Sequence, residues 1–178
     1  MSSGTITLET DRLILRKVKE SDLDDLYNNW ASDSITTKYL TFKTHNDKEQ
    51  TSKFINFWMK KYEKNGYEWV LELKENNQVI GMISGDESYK YKCIELGYSI
   101  SSVYFNKGLV TEALNCIINY LLGDCGFHIV EAIIPSNNIG SIKVAEKCGL
   151  KKEAILKERY IDKENNIQDL LIYSKFES

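Results

Sequence analysis

The sequence predicts an α/β protein whose sheet is mixed, mostly antiparallel and flanked by helices. Short alternating or apolar runs, bounded by turn residues, recur along the chain as strands do. Helical patterns interrupt them at 47–64, 108–122 and 139–148. The helix at 108–122 lies between the strand-like runs 93–100 and 129–134, so those two strands read as a parallel pair in an otherwise antiparallel sheet.

Residues 7–17 alternate well enough for a first strand, with Leu8, Leu13 and Leu15 as its apolar positions. Ser21 reads as a helix N-cap, with Asp22, Asp24 and Asp25 in the first turn, where the helix dipole favours anions. Leu23, Leu26, Tyr27 and Trp30 follow at helical spacing. A second helix spans 47–64, with Phe54, Phe57, Trp58 and Tyr62 on one face, and Asn65-Gly66 ends it in a left-handed cap. Residues 67–73 and 78–85 read as a hairpin around a turn at 75–77, and 93–100 as the next strand. The clearest amphipathic helix is 108–122, where Val110, Ala113, Leu114, Ile117, Ile118 and Leu121 share a face. A short strand at 129–134 and a helix at 139–148, stopped by Gly149, come next. The runs 151–161 and 167–176 form a last hairpin around 162–166.

With 178 residues, no repeat, no low-complexity tract and no Pro/Gly-rich linker, the whole chain 1–178 reads as one domain. A hydrophobic content of 42% supports a sizeable core. The net charge of -3 argues against nucleic-acid binding and suits a cationic substrate such as an amine. No run of about 18 apolar residues exists to cross a membrane. The N-terminal stretch lacks the basic and apolar regions of a signal peptide, so the expected location is cytoplasmic. Cys93, Cys116, Cys125 and Cys148 are scattered, with no CxxC pair and only His45 and His128 to join them. They read as reduced cysteines, and no metal site is expected.

Two segments carry chemistry. Between 100 and 112 a strand ends, Asn106, Lys107 and Gly108 form a turn, and a long helix begins. Helix-start N–H groups lack internal partners and carry partial positive charge, so such a junction binds phosphate or pyrophosphate. Gly108 admits close approach to the main chain, and Lys107 adds charge. The same residues also read as an ordinary strand–helix turn; no Walker A pattern is present. In the second segment, 135–150, Asn138 starts a helix and Ser141 lies in its first turn. Asn138 reads alternatively as a plain N-cap, and Ser141 as an exposed hydroxyl.

Together these segments resemble the GNAT acetyltransferases, in particular the RimJ/RimL-type branch. The likeness rests on LETDRLILR at 8–16, ELGYSI at 95–100, FNKGLVTEA at 105–113 and NIGSIKVAEKCGL at 138–150, in that order over nearly the whole chain. It implies a twisted sheet whose one parallel strand pair splays apart, with acetyl-CoA as co-substrate and an amine as acceptor. The main chain of Ile100, Ser101 and Ser102 would bond the pantetheine arm. The turn formed by Asn106, Lys107, Gly108, Leu109, Val110 and Thr111 would hold the pyrophosphate. Asn138 would contact the pantetheine. Ser141 would lie near the thioester sulfur and protonate the leaving thiolate. Phe105, Asn106 and Val110 depart from the family pattern, and the β-branched Val110 is expected to crowd the pyrophosphate and weaken binding.

Direct attack on a thioester needs a neutral amine, while alkyl amines have pKa values of about 10.4. A base or water relay must therefore take a proton. Glu68, Glu95, Glu153 and Glu158 are the candidate carboxylates, each also readable as a solvated strand residue, and Glu68 is the choice among them. Tyr27, Trp30, Phe54, Phe57 and Trp58 read as core, though the resemblance implies that the N-terminal helices flank the acceptor groove. The expected activity is acetylation of a protein N-terminus or small amine within a ternary complex. The alternative is a non-catalytic acyl-CoA-binding or regulatory module. The last hairpin offers an edge for pairing in a homodimer.

Overall fold

The computed structural model describes residues 4–88 and 92–177. The first three residues of the stretch examined for a signal peptide lie outside them. The alternating run at 7–17 divides into β1 (Leu8–Glu9) and β2 (Leu13–Arg16) instead of one strand. The chain turns between them because the Thr10 hydroxyl and the Arg12 main chain and guanidinium all reach out to Glu112. A tight turn at Glu20–Asp22 leads into α1 (Leu23–Leu26) and then a wider π turn, Tyr27–Ala31. Ser21 is not the cap. Asp22 occupies the position before α1 without a side-chain cap bond, and its carboxylate instead closes the preceding turn by accepting from the Lys19 N–H at 2.8 Å. The wide turn carries the Trp30 indole to Ser99 Oγ at 2.9 Å.

Helix α2 (Lys48–Tyr62) is capped by the Asp47 carboxylate, which accepts from the Gln50 N–H. Asn65, at φ 58, supplies the left-handed residue that ends this region. Strands β3 (Tyr67–Leu73), β4 (Val79–Ser88) and β5 (Cys93–Ile100) form the antiparallel meander. Helix α3 (Leu109–Asn119) crosses to β6 (Ile129–Pro135), followed by α4 (Ile139–Lys147) and the hairpin of β7 (Lys151–Ile161) and β8 (Ile167–Phe176). The hairpin tip is pinned by Asp162, whose Oδ1 accepts from the N–H groups of Glu164 and Asn166.

All eight strands join one sheet in the order β1-β2-β3-β4-β5-β6-β8-β7. Among the described residues only β5 and β6 run parallel, and they pair over three positions, Cys93 to Glu95 against Ile129 to Glu131. Beyond Glu95 the two strands part. The main core fills the face of the sheet under α3 and α4: Trp69, Leu71, Ile94 and Leu96 from the strands meet Leu114, Ile117, Ile118 and Ala145. Alternation sends Val70 and Met82 to the opposite face, where they pack with Leu26, Trp30, Ile55 and Trp58. The core reading of Trp30 and Trp58 therefore holds. Phe57 is exposed. Among the described residues no helix is long and apolar enough to cross a membrane.

A buried three-way ion cluster ties the first strands to the helical layer. The Arg16 guanidinium grips Asp22 with two bonds of 2.8 Å and donates to Glu72 at 2.5 Å. All three side chains are at most 14% exposed. Removing one partner from a buried ion group leaves the others desolvated and uncompensated, which costs about 3–5 kcal/mol. Arg16→Met is expected to lower unfolding stability in urea by that order. A loss within about 0.5 kcal/mol, the effect typical of a neutral surface change, would show that the cluster contributes nothing.

Candidate active site

The parting of β5 and β6 opens a cleft of about 700 Å³. Its walls come from β5, the start of α3, the first turns of α4 and the segment 35–40. Ser101 N–H donates to Ile80 O at 2.7 Å, on the β4 side. Main-chain groups alternate along a strand, so those of Tyr98 and Ile100 face away from β4, into the gap. Tyr98, Ser99 and Ile100 all line it.

This arrangement corrects part of the expected pantetheine strand. Ile100 stands at the gap. Ser101 is buried with its N–H committed to Ile80, and Ser102 has left the strand for a short turn, where its N–H donates to Thr36 Oγ1 at 2.9 Å. Neither serine lines the cleft. Tyr98 takes their place, and sequence reasoning passed over it.

The expected phosphate turn is open in the way its residues require. Asn106 (φ 60) and Gly108 (φ 76) both adopt left-handed geometry, and α3 begins directly after them. The first-turn N–H groups of Leu109, Val110 and Thr111 have no partner within the helix. Asn106, Gly108, Leu109, Val110 and Thr111 line the cleft. Lys107 does not; its ammonium lies over the Tyr104 ring, 4.8 Å from the centroid. Val110 forms part of the wall and also packs against the main core. Arg12 braces the turn from outside, donating to Lys107 O at 3.0 Å and to Glu112 at 2.7 Å. Burial alone would raise the Glu112 carboxyl, but hydrogen bonds from Thr10 and Arg12 outweigh it and hold the carboxyl below its usual range.

Helix α4 contributes the second half. Asn138 caps it, its Oδ1 accepting from Ser141 N–H at 3.3 Å. That is the capping role, and Asn138 still lines the cleft together with Ser141. The Tyr98 hydroxyl donates to Ser141 O at 2.9 Å, which fastens β5 to α4 across the gap. Burial pushes the Tyr98 phenol well above its ordinary range. Cys148 Sγ lies 3.6 Å from Thr111 O, so the end of α4 meets the start of α3. Lys147, beside Cys148, accordingly lies near the phosphate turn, and Lys143 lines the cleft one helical turn before it.

Glu68 is not brought to this site. It lies on β3 with a fully buried side chain, facing the α1–α2 layer, and pairs with Lys61 near the end of α2. Its second carboxylate oxygen accepts no hydrogen bond. Burial raises its carboxyl above the usual range, and Lys61 only partly offsets this. Glu95, Glu153 and Glu158 are exposed strand residues away from the lining. Among the described residues no Asp or Glu lines the cleft; three lysines do, Lys38, Lys143 and Lys147. The mildly acidic charge of the whole chain therefore misdescribes the site.

The open turn, the inward-facing β5 main chain and the flanking lysines suit an extended, anionic thioester: N–H donors for phosphate at one end, strand groups for an amide-bearing arm in the middle. Comparison with known proteins points the same way. Residues 12–151 match the acetyltransferase (GNAT) domain family. The uncharacterized N-acetyltransferase YoaA of Bacillus subtilis (strain 168) is 27% identical over 169 residues, covering 94% of each chain. The crystal structure of an acetyltransferase (GNAT family) from Bacillus anthracis is similar with a TM-score of 0.85 at 25% identity, over 97% of this chain and 99% of that one. The microcin C7 self-immunity acetyltransferase MccE, solved with acetyl-CoA and AMP, shares the fold with a TM-score of 0.82 at 22% identity, over 94% of this chain and 93% of its own.

If the Tyr98–Ser141 bond sets the position of α4 at the gap, Tyr98→Phe will move Ser141 while leaving the phosphate turn intact. The expected result is a turnover loss of about ten-fold, the equivalent of one hydrogen bond of about 1–1.5 kcal/mol, with acetyl-CoA affinity retained. Steady-state kinetics beside calorimetry separate the two. Unchanged turnover would mean that α4 is held by packing alone.

Proposed function

The chain belongs to the GNAT acetyltransferase family, and on that premise we propose that it transfers the acetyl group of acetyl-CoA directly to a primary amine in a ternary complex. The observation that carries this reading is one cleft that contains both the open α3 turn and Ser141 at the parted strands. The pyrophosphate would sit on the N–H groups of 108–111, with Lys143 and Lys147 beside it. The pantetheine amides would bond the main chain of Tyr98 and Ile100, and the same inward N–H groups would stabilise negative charge on the carbonyl oxygen.

The amine nitrogen bonds the acetyl carbon as the carbon–sulfur bond breaks. One proton leaves nitrogen and one reaches sulfur. Ser141 is suited to donate the latter, although a thiol with pKa of about 8.5 needs little help. Among the described residues no carboxylate in the lining takes the former. That absence favours an acceptor that loses its proton readily: an α-amino group, with pKa of about 7.7–8.0, over an alkyl amine at about 10.4. At neutral pH the α-amine holds a far larger neutral fraction, and a water relay suffices.

Titration of the purified chain with acetyl-CoA in a calorimeter, followed by amine-dependent CoA release, tests the proposal. Saturable binding and release are expected. Ser141→Ala should lower turnover by up to about 100-fold, the low end of general acid catalysis, with acetyl-CoA affinity unchanged. Binding without release from any amine would favour an acyl-CoA-binding module instead. A large affinity loss in Ser141→Ala with normal turnover would remove Ser141 from the chemistry.

A further inference from the structure

The cleft has two ends, and its positive charge is divided between them. Lys147, next to Cys148, stands where α4 meets the α3 turn, the end suited to the phosphates, and Lys143 lies one turn before it on the same helix face. Lys38 stands at the other end. It belongs to the wall segment 35–40, and its ammonium lies over the Tyr39 ring, 5.3 Å from the centroid. The Tyr39 hydroxyl donates to Asn137 O at 3.2 Å, beside Asn138 at the start of α4. Ser141 is in that same first turn. Lys38 thus sits at the reacting end of the cleft, away from the phosphate turn.

Among the described residues no carboxylate reaches this lysine closely enough to pair with it. Three nearby aspartates are committed to other partners, and Glu164 acts on its neighbour Lys163. Asp33 accepts from Ile35 N–H and Thr36 Oγ1. Asp162 is buried and accepts from Glu164 N–H, Asn166 N–H and the Asn166 amide; it forms no ion pair with Lys38, whose charge helps to keep it ionised. Asp169 accepts from Lys157 and from Glu158 N–H. A second ammonium reaches this wall from the hairpin tip: Lys163 donates to Thr37 O at 2.6 Å and Phe42 O at 2.9 Å, fixing the segment that carries Lys38.

We infer that the acceptor is an amine that also carries an anionic group, a carboxylate or phosphate, and that Lys38 binds that group. This rests on the acetyl-CoA reading above and narrows it. A polycationic amine would meet only lysines here and find no carboxylate to hold it. An α-amine with a nearby negative charge meets Lys38 while its nitrogen faces the α4 start.

Calorimetry with acetyl-CoA comes first, because failure to bind would sink the acetyl-CoA reading and this inference with it. With binding in hand, CoA release is measured for the dipeptide amides Gly-Asp-NH2 and Gly-Asn-NH2, for phosphoethanolamine and for spermidine. The acidic dipeptide should exceed its isostere by about five-fold in kcat/KM, the upper end of what one accessible ion pair contributes. Lys38→Met should erase that preference through KM and leave acetyl-CoA affinity unchanged, and Lys38→Arg should keep it. Spermidine as the best acceptor, a preference that survives Lys38→Met, or acetyl-CoA binding with no turnover of either anionic amine would each overturn the inference and leave the acetyl-CoA reading standing.

Discussion

The rest of the site depends on how early the pairing of β5 with β6 stops. A parallel pair that continued would close its main-chain groups on each other and leave no cleft. Here pairing ends after Glu95 and Glu131. Each strand is instead secured along its other edge, β5 to β4 over eight positions and β6 to β8 over seven. The gap is therefore rigid on both sides. Its unpaired N–H and C=O groups need partners, and an unsatisfied buried group costs about 1–3 kcal/mol. A bound molecule with its own amides, or water, meets that need. One side-chain bond spans the gap from the strand itself, Tyr98 to the Ser141 carbonyl, and sets where α4 stands.

The second requirement is a fixed helix start. A helix terminus attracts an anion only if its first N–H groups stay uncovered and in place. Asn106 and Gly108 bend the chain so that α3 begins at the cleft. Arg12, with Thr10, fixes Glu112 inside the first turn and Lys107 O just before it. These bonds explain why the N-terminal strand is broken in two: residues 10–12 are turned outward to brace the helix. The first strands thus contribute to the site without lining it.

Local patterning made most of the frame legible in the sequence. Strands β3, β5, β7 and β8 follow their alternation or apolar runs, and the Asp162 turn was marked by its own residues. The parallel pair followed from a helix between two strands. What escaped the sequence depends on partners distant in the chain. Tyr98 finds a main-chain carbonyl on α4, which leaves no side-chain pattern to read. Ser101 and Ser102 lie on the motif but spend their N–H groups on Ile80 and Thr36. Glu68 alternates toward the helical layer, and only the packing of α2 shows that it meets Lys61 there instead of the cleft.

Charge shows the same limit most clearly. The chain totals -3, and that sum suggested a surface welcoming to cations. Screening confines exposed charges to a range of about 8–10 Å, so an amine entering the cleft senses its lining and little else. Within that range the acids are tied into turns and ion pairs: Asp33 in its own loop, Asp162 at the hairpin tip, Asp169 with Lys157. The lysines of the lining are not. Those carboxylates keep their charge but stand outside the lining, where the described residues offer three lysines and no carboxylate. Net charge therefore describes how the chain meets solvent, while the charged side chains that the fold brings into the lining decide what the site attracts.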